Sequence, residues 1–317
     1  MQRQYTGTAG RIENVQVAVY LGYAARAGHA LIDRELYLPR SWTGDPARCQ
    51  AAGIPAAVEF ATKPQLAQKM IERAIAAGVP FAWVAADEAY GANGPFRAWL
   101  EEGQIRYVLA VACDHRLPAG PGRTIRADDL AARLPRAAWQ RLPAGQGAKG
   151  YRYYDWAWVT VTASGQPGCR WLLIRRSRRT RELAFYRCYA PRQVRLATLV
   201  KTAGFRWTIE ENFQASKGLT GLDEHQVRRW TSWHRWVTLA MLAAAFLTIT
   251  AATERAPCPG TAGQIPLTRN EIAHLFAILI VKPARGAWHP LRWSGWRRCH
   301  QHRAQTCHYR RQTAQDP

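Results

Sequence analysis

Apolar and polar positions alternate over residues 15–21 and again over residues 30–38, where Pro39 stops the run, so the two segments predict a β-hairpin. Residues 5–10 ahead of them are turn-rich. Over residues 64–77 the period changes to that of a helix. Leu66, Ala67, Met70, Ile71, Ala74 and Ile75 fill one half of the helical wheel, and Gln68, Lys69, Glu72 and Arg73 fill the other. Gly78 and Pro80 end it. Residues 81–86 are almost wholly apolar, the pattern of a strand buried on both faces of a sheet. A short helix over 96–102 and an apolar strand over 107–112 then complete the spacing of a parallel strand–helix–strand unit.

Residues 114–150 read as loop with one short helix over 128–133. Strands over 156–162, 170–175 and 183–189 follow, separated by a turn holding Gly165, Pro167 and Gly168 and by a basic stretch over 175–181; they predict an antiparallel β insertion. Helices are expected over 192–202, 206–217, 227–252 and 268–282, then a basic, flexible tail. The chain is thus expected to divide into residues 1–113, 114–190, 191–282 and 283–317. The longest apolar run, residues 237–252, falls short of the ~20 residues of a membrane span. It predicts a buried helix with Trp233, Trp236, Met241 and Phe246 in its core, and no membrane partner.

The composition is that of a globular chain: 317 residues, 48% hydrophobic and 21% charged. Its charge is less ordinary. Lys and Arg number 44 against 22 Asp and Glu, a net +22, which calls for a polyanionic partner such as nucleic acid. A GC-rich genome would account for Arg outnumbering Lys, but not for carboxylates at half the number of cations. Seven Cys without CxxC spacing and no leader predict reduced thiols in the cytoplasm. Cys299, His300, His302, Cys307 and His308 follow a spacing that matches no common zinc module.

Two acidic positions could carry chemistry. Asp87 directly follows the apolar run at 81–86, where a strand would present it at the rim of a sheet; capping of the next turn is the competing explanation. Arg206, Glu210 and Lys217 fall at i, i+4 and i+11, one face of a single helix, with Glu211 about 100° away. A solvated charged face would show the same spacing. Trp207, Ile209 and Phe213 argue for partial burial instead.

Arg206-x3-Glu210-x6-Lys217 resembles the R-x3-E-x6-K signature of insertion-sequence transposases with a ribonuclease H-like catalytic domain. The segments at 4–14, 32–39, 60–64, 87–91, 221–223 and 228–230 are similar to the 701-type group of that class, and the resemblance covers nearly the whole chain. It implies an α/β fold, a ribonuclease H-like mixed sheet with the β insertion ahead of the glutamate helix and a helical C-terminal part. Asp87 would be the second catalytic aspartate and Glu210 the catalytic glutamate. Arg206 and Lys217 would position Glu210 and hold DNA phosphate. The cofactor would be two Mg²⁺ (or Mn²⁺) ions, held by Asp87, Glu210 and a first aspartate.

Two departures stand out. Ala203 occupies the place of the signature's usual Tyr, and the first aspartate belongs on a strand upstream of Tyr5, where the sequence has none. The expectation is therefore a DDE transposase lacking its first, central strand, inactive and marginally stable alone. Glu13, Asp33 and Glu35 are not expected to substitute.

Cations interleaved with aromatics mark DNA-facing candidates: Lys149 and Arg152 beside Tyr151, Tyr153 and Tyr154, and Arg297, Arg298, Arg310 and Arg311 in the tail. Ordinary β packing is the alternative for the tyrosines. The implied partners are double-stranded DNA, at transposon ends and target, and further copies of the chain on that DNA, in a bacterial cytoplasm at the nucleoid. A non-catalytic, DNA-binding regulatory fragment is the other function class.

Overall fold

The computed structural model describes residues 2–6, 10–120, 122–147, 150–161, 167–226, 228–254, 263–281 and 288–315. The strands and helices run β1 (Gln2–Thr6), β2 (Arg11–Val15), β3 (Val17–Ala24), β4 (His29–Tyr37), α1 (Arg40–Thr43), α2 (Pro46–Ala51), α3 (Lys63–Ala76), β5 (Val84–Ala86), α4 (Glu88–Gly91), α5 (Gly94–Glu102), β6 (Tyr107–Val111), β7 (Arg116–Pro118), β8 (Thr124–Arg126) and α6 (Ala127–Ala132). They continue with β9 (Gln140–Gly147), β10 (Gly150–Thr160), β11 (Cys169–Arg176), β12 (Leu183–Ala190), α7 (Leu196–Phe205), α8 (Thr208–Thr220), α9 (Trp230–Thr253), α10 (Arg269–Phe276) and α11 (Trp288–Gln315). Two compact units result. One holds residues 62–147 and 151–207, the other residues 1–61, 148–150 and 208–317.

The first of these units is built on a mixed six-stranded sheet in the order β5-β6-β12-β11-β10-β9. β5 and β6 are parallel, as the strand–helix–strand spacing predicts; β6–β12, β12–β11 and β11–β10 are antiparallel. The three strands expected as an antiparallel β insertion extend the same sheet as β5 and β6. Side chains alternate between two cores. Val108, Trp156, Trp171, Leu173, Tyr186 and Cys188 pack against α7, while Val111, Leu172, Ile174 and Phe185 pack against Leu117, Ala127 and Ala131. α3 begins at a full capping box, Thr62 with Gln65, which fixes its start. One expectation fails here. Among the described residues β5 is an edge strand with one neighbour, its residues are half-buried, and Phe81 is exposed, because apolar composition cannot bury a strand that lacks a partner on one side.

The other unit carries the predicted hairpin, β3 antiparallel to β4, with a register shift between Leu21 and Gly22. β1 pairs with β2, two strands that the sequence pattern did not announce. Leu31, Leu36 and Leu38 pack with Ile54, Trp233, Val237, Ala240 and Met241, so the hairpin lies against α9, with Ile209 and Phe213 of α8 at the margin. α9 has 24 residues and is long and apolar enough to cross a membrane by length and composition; it extends the apolar run at 237–252 by a turn or more on its N-terminal side. A third of its most apolar window is buried; Leu239, Leu242, Phe246 and Ile249 are exposed, as is Trp236, so Phe246 and Trp236 are not core residues. The segment expected to be a flexible tail forms helix α11 over Trp288–Gln315, where Arg, Gln and Ala supply helix propensity.

His234 packs on the rings of Trp230 and Trp233, with centroids 4.3 and 4.8 Å away, and its Nε2 is buried without a hydrogen-bond partner among the described residues. Burial, and then the charge of Arg34, push its pKa from 6.5 down to about 4. The unfolded chain thus takes up a proton that the fold refuses in this window. Stability is unaffected above pH 6.5 and falls as the pH drops from 6.5 towards 4. Thermal midpoints measured across that range should decline in the parent chain and decline less in His234→Asn; parallel profiles would refute the assignment.

Candidate active site

Asp87 stands at the C-terminal end of β5 and is exposed. It is also the N-cap of α4, accepting a hydrogen bond from the Ala89 amide at 3.0 Å, so the strand-end and the capping explanations both describe it. Gly91 closes this short helix against β6: a Cβ there would lie 1.9 Å from the Ala110 carbonyl oxygen. Burial raises the pKa of the neighbouring Tyr90 phenol, and the negative charge of Asp87 adds to the effect.

Glu210 lies in the first turn of α8, exposed, and Lys217 lies in its last turn. Seven residues apart, they share a helix face. Lys217 also reaches Asp223, at 3.8 Å. Arg206 does not join them. It caps the C-terminus of α7, and a turn at Arg206 and Trp207 separates the two helices, so the expected single helix over 206–217 is broken there. Asp87 belongs to the unit of residues 62–147 and 151–207, and Glu210 to the other. Among the described residues no group of three His, Cys, Asp or Glu is poised to hold a metal ion, the tail Cys and His included. Of the nearby carboxylates, Glu13 pairs with Arg11 at 2.6 Å, and Asp33 accepts from the Arg34 amide at 2.8 Å.

A contact that sequence reasoning missed holds α8. His29, at the start of β4, meets Asn212 Oδ1 through Nδ1 at 2.7 Å and Glu211 Oε2 through Nε2 at 3.2 Å. Asn212 is 2% exposed and its Nδ2 has no partner among the described residues; turning the amide over would let Nδ2 donate to the ring and remove that orphan. Gly22 leaves room here, since a Cβ would come within 3.0 Å of Ile209. His29→Ala should cost about 2 kcal/mol, because it strands a buried amide, and should be measurable as a lower urea midpoint. An unchanged midpoint would show that the clamp contributes nothing. Residues 183 positions apart carry no local signal of such a pair.

Of the DNA-facing candidates, Lys149 lies outside the described residues, as does the side chain of Arg311. Tyr151 and Tyr153 are exposed, whereas Tyr154 packs edge-on against Trp156 beneath the Arg175 guanidinium. Arg152 lies over the Trp207 ring at 6.0 Å. Arg297 is paired with Glu271 at 2.7 Å, and Arg298 donates to the Ile265 carbonyl at 2.8 Å, so both serve to pack α11. Arg310 also has an interaction within the chain.

Residues 1–157 match the family model of the DDE superfamily endonucleases. The chain is also 30% identical over 129 residues to a probable transposase for insertion sequence element IS701 of Microchaete diplosiphon; that match covers 40% of this chain and 30% of the relative. The aligned stretch thus spans less than a third of the relative's length. The family match includes Asp87 and the strand that presents it, and over residues 1–157 the chain is similar to the DDE superfamily endonucleases.

Proposed function

We propose that this chain is the catalytic part of an insertion-sequence transposase of ribonuclease H-like fold, which cleaves and rejoins DNA strands at the element's ends. The observation that carries the reading is the family match across β5, the strand whose C-terminal end delivers Asp87. Glu210 and Lys217 lie beyond the matched stretch and rest on their spacing and shared helix face. Net charge +22 supports a DNA substrate, with several copies assembling on it at the bacterial nucleoid.

Asp87 and Glu210 are exposed carboxylates, hard oxygen donors of the kind Mg²⁺ or Mn²⁺ prefers. They fit in kind and fall short in number, since a two-ion site needs a further carboxylate beside them. Bound ions would polarise the scissile phosphate and lower the pKa of the attacking water or hydroxyl. The chain's own part is to hold the carboxylates: the α4 cap orients Asp87, and α8, gripped by His29, carries Glu210. Lys217, one helix face with Glu210, would take a DNA phosphate, and Arg206 would take another from the end of α7.

The second reading, a DNA-binding regulatory protein without catalysis, is favoured by the lack of a three-carboxylate group among the described residues. Duplex DNA carrying the element's own ends separates the two. Metal-dependent strand cleavage by the protein containing this chain supports the transposase; binding that stays cleavage-free in Mg²⁺ and Mn²⁺ supports the regulator.

A further inference from the structure

The face of the six-stranded sheet that holds Tyr107, Leu109 and Val111 of β6 also holds Arg187 of β12, directly opposite Leu109. Arg187 is 7% exposed, and its Nε has no hydrogen-bond partner among the described residues. An arginine buried in that way is costly unless something negative meets it. The carboxylate set on this face is Glu101 of α5, and it is already committed. Its Oε2 accepts from both Arg170 Nε at 2.9 Å and Arg170 Nη2 at 2.5 Å, and its Oε1 accepts from the Tyr107 hydroxyl at 2.6 Å.

More positive charge stands beside Arg187. Arg97 lies one helical turn before Glu101, on the same stripe of α5 that faces the sheet, and one of its nitrogens donates to the Gly91 carbonyl. His115 follows the end of β6 on a turn closed by its own amide on the Ala112 carbonyl, and its Nε2 is a second buried nitrogen without a partner. Gly91 lies against β6, where a Cβ on it would be 3.2 Å from Leu109 Cβ, so Arg97 and Arg187 flank the same strand residue. Burial, then the charges of Arg97 and Arg187, push the His115 pKa down to about 4 against the opposing charge of Asp114. The four other buried arginine Nε atoms without a partner among the described residues are accounted for differently: the Arg152 and Arg175 guanidinium groups lie over the rings of Trp207 and Tyr154, and Arg34 and Arg297 donate through Nη2 to Thr238 and Glu271.

We propose that Arg187, Arg97 and His115 form a binding site for a phosphate group on this face of the sheet. Guanidinium forks match the oxygens of a tetrahedral phosphate, and the Nε2 of His115 supplies a third polar contact. The site goes beyond the transposase reading, because neither Asp87 nor Glu210 takes part. The phosphate can be a free ion or one from a DNA backbone.

The test is thermal unfolding of the full chain in sodium phosphate against sodium chloride of equal ionic strength, with Arg187→Met alongside. Phosphate at about a hundredfold excess over Kd should raise the parent midpoint by roughly 5 °C or more. Arg187→Met removes a buried guanidinium whose Nε has no partner among the described residues, so it should fold without phosphate and show none of that rise. His115→Ala, a change at a turn, should weaken phosphate about tenfold and carries the test if Arg187→Met does not fold. Equal shifts in parent and variants, or no shift in the parent, would overturn the proposal. Titrating a short duplex identifies the source: a salt slope lower by about one in Arg187→Met means a backbone phosphate, and an unchanged slope with the phosphate shift lost means a free ion.

Discussion

On the proposed transposase reading, replacing Asp87 by Asn or Glu210 by Gln in the protein containing this chain reduces strand cleavage on the order of a thousandfold, about 4 kcal/mol of barrier, while DNA affinity is retained. The two substitutions are nearly isosteric and remove the ionised oxygen that would hold a metal. Asn is also a good N-cap, so Asp87→Asn keeps the hydrogen bond to the Ala89 amide that starts α4. That separates the two roles of this residue. Asp87→Ala loses both and should cost about 1 kcal/mol of stability as well. Glu210 is exposed on α8, and Gln preserves helix propensity, so its variant should unfold as the parent does. Cleavage assays read beside filter binding decide the matter: cleavage that survives either substitution would remove that carboxylate from the site.

Gly204→Ala should destabilise the chain by about 3 kcal/mol. Gly204 lies in α7, where alanine would ordinarily gain about 1 kcal/mol of helix propensity. Here a Cβ would sit 1.5 Å from the Ala144 carbonyl oxygen and 2.7 Å from its carbon, both backbone atoms of β9. Neither can swing aside, so α7 must lift from a core that contains Leu196, Leu199, Val200 and Ala203. The clash outweighs the propensity. Gly218, in α8 with nothing within 4 Å of its Cβ position, is the matched control, and Gly218→Ala should be neutral or stabilising by up to about 1 kcal/mol. Equal urea midpoints for the two variants would contradict the close approach of α7 and β9.

The elements that sequence made legible are those whose signal is local. The alternation at 15–21 and 30–38 became β3 and β4, the helical period at 64–77 became α3, and the spacing after residue 81 became parallel β5 and β6. Asp87 was readable for the same reason, as a carboxylate closing an apolar run. What escaped notice depends on partners far along the chain. Residues 81–86 are as apolar as an interior strand, yet among the described residues β5 has a neighbour on one side alone, and no pattern within the segment reports that. The break at Arg206 and Trp207 was hidden because every residue there tolerates a helix, and the separation into α7 and α8 is decided by packing. The grip of His29 on Asn212 joins β4 to α8 across most of the sequence and leaves no periodic trace. Likewise the strands at 156–189 looked self-contained until β12 was found against β6.

Mn²⁺ binding to the DNA complex, followed by electron paramagnetic resonance, bears most directly on the proposal that Asp87 and Glu210 are metal ligands. The proposal predicts ions held by the parent protein and held less tightly in Asp87→Asn and in Glu210→Gln, since each substitution removes an ionised oxygen donor. Ions retained undiminished by both variants would contradict it.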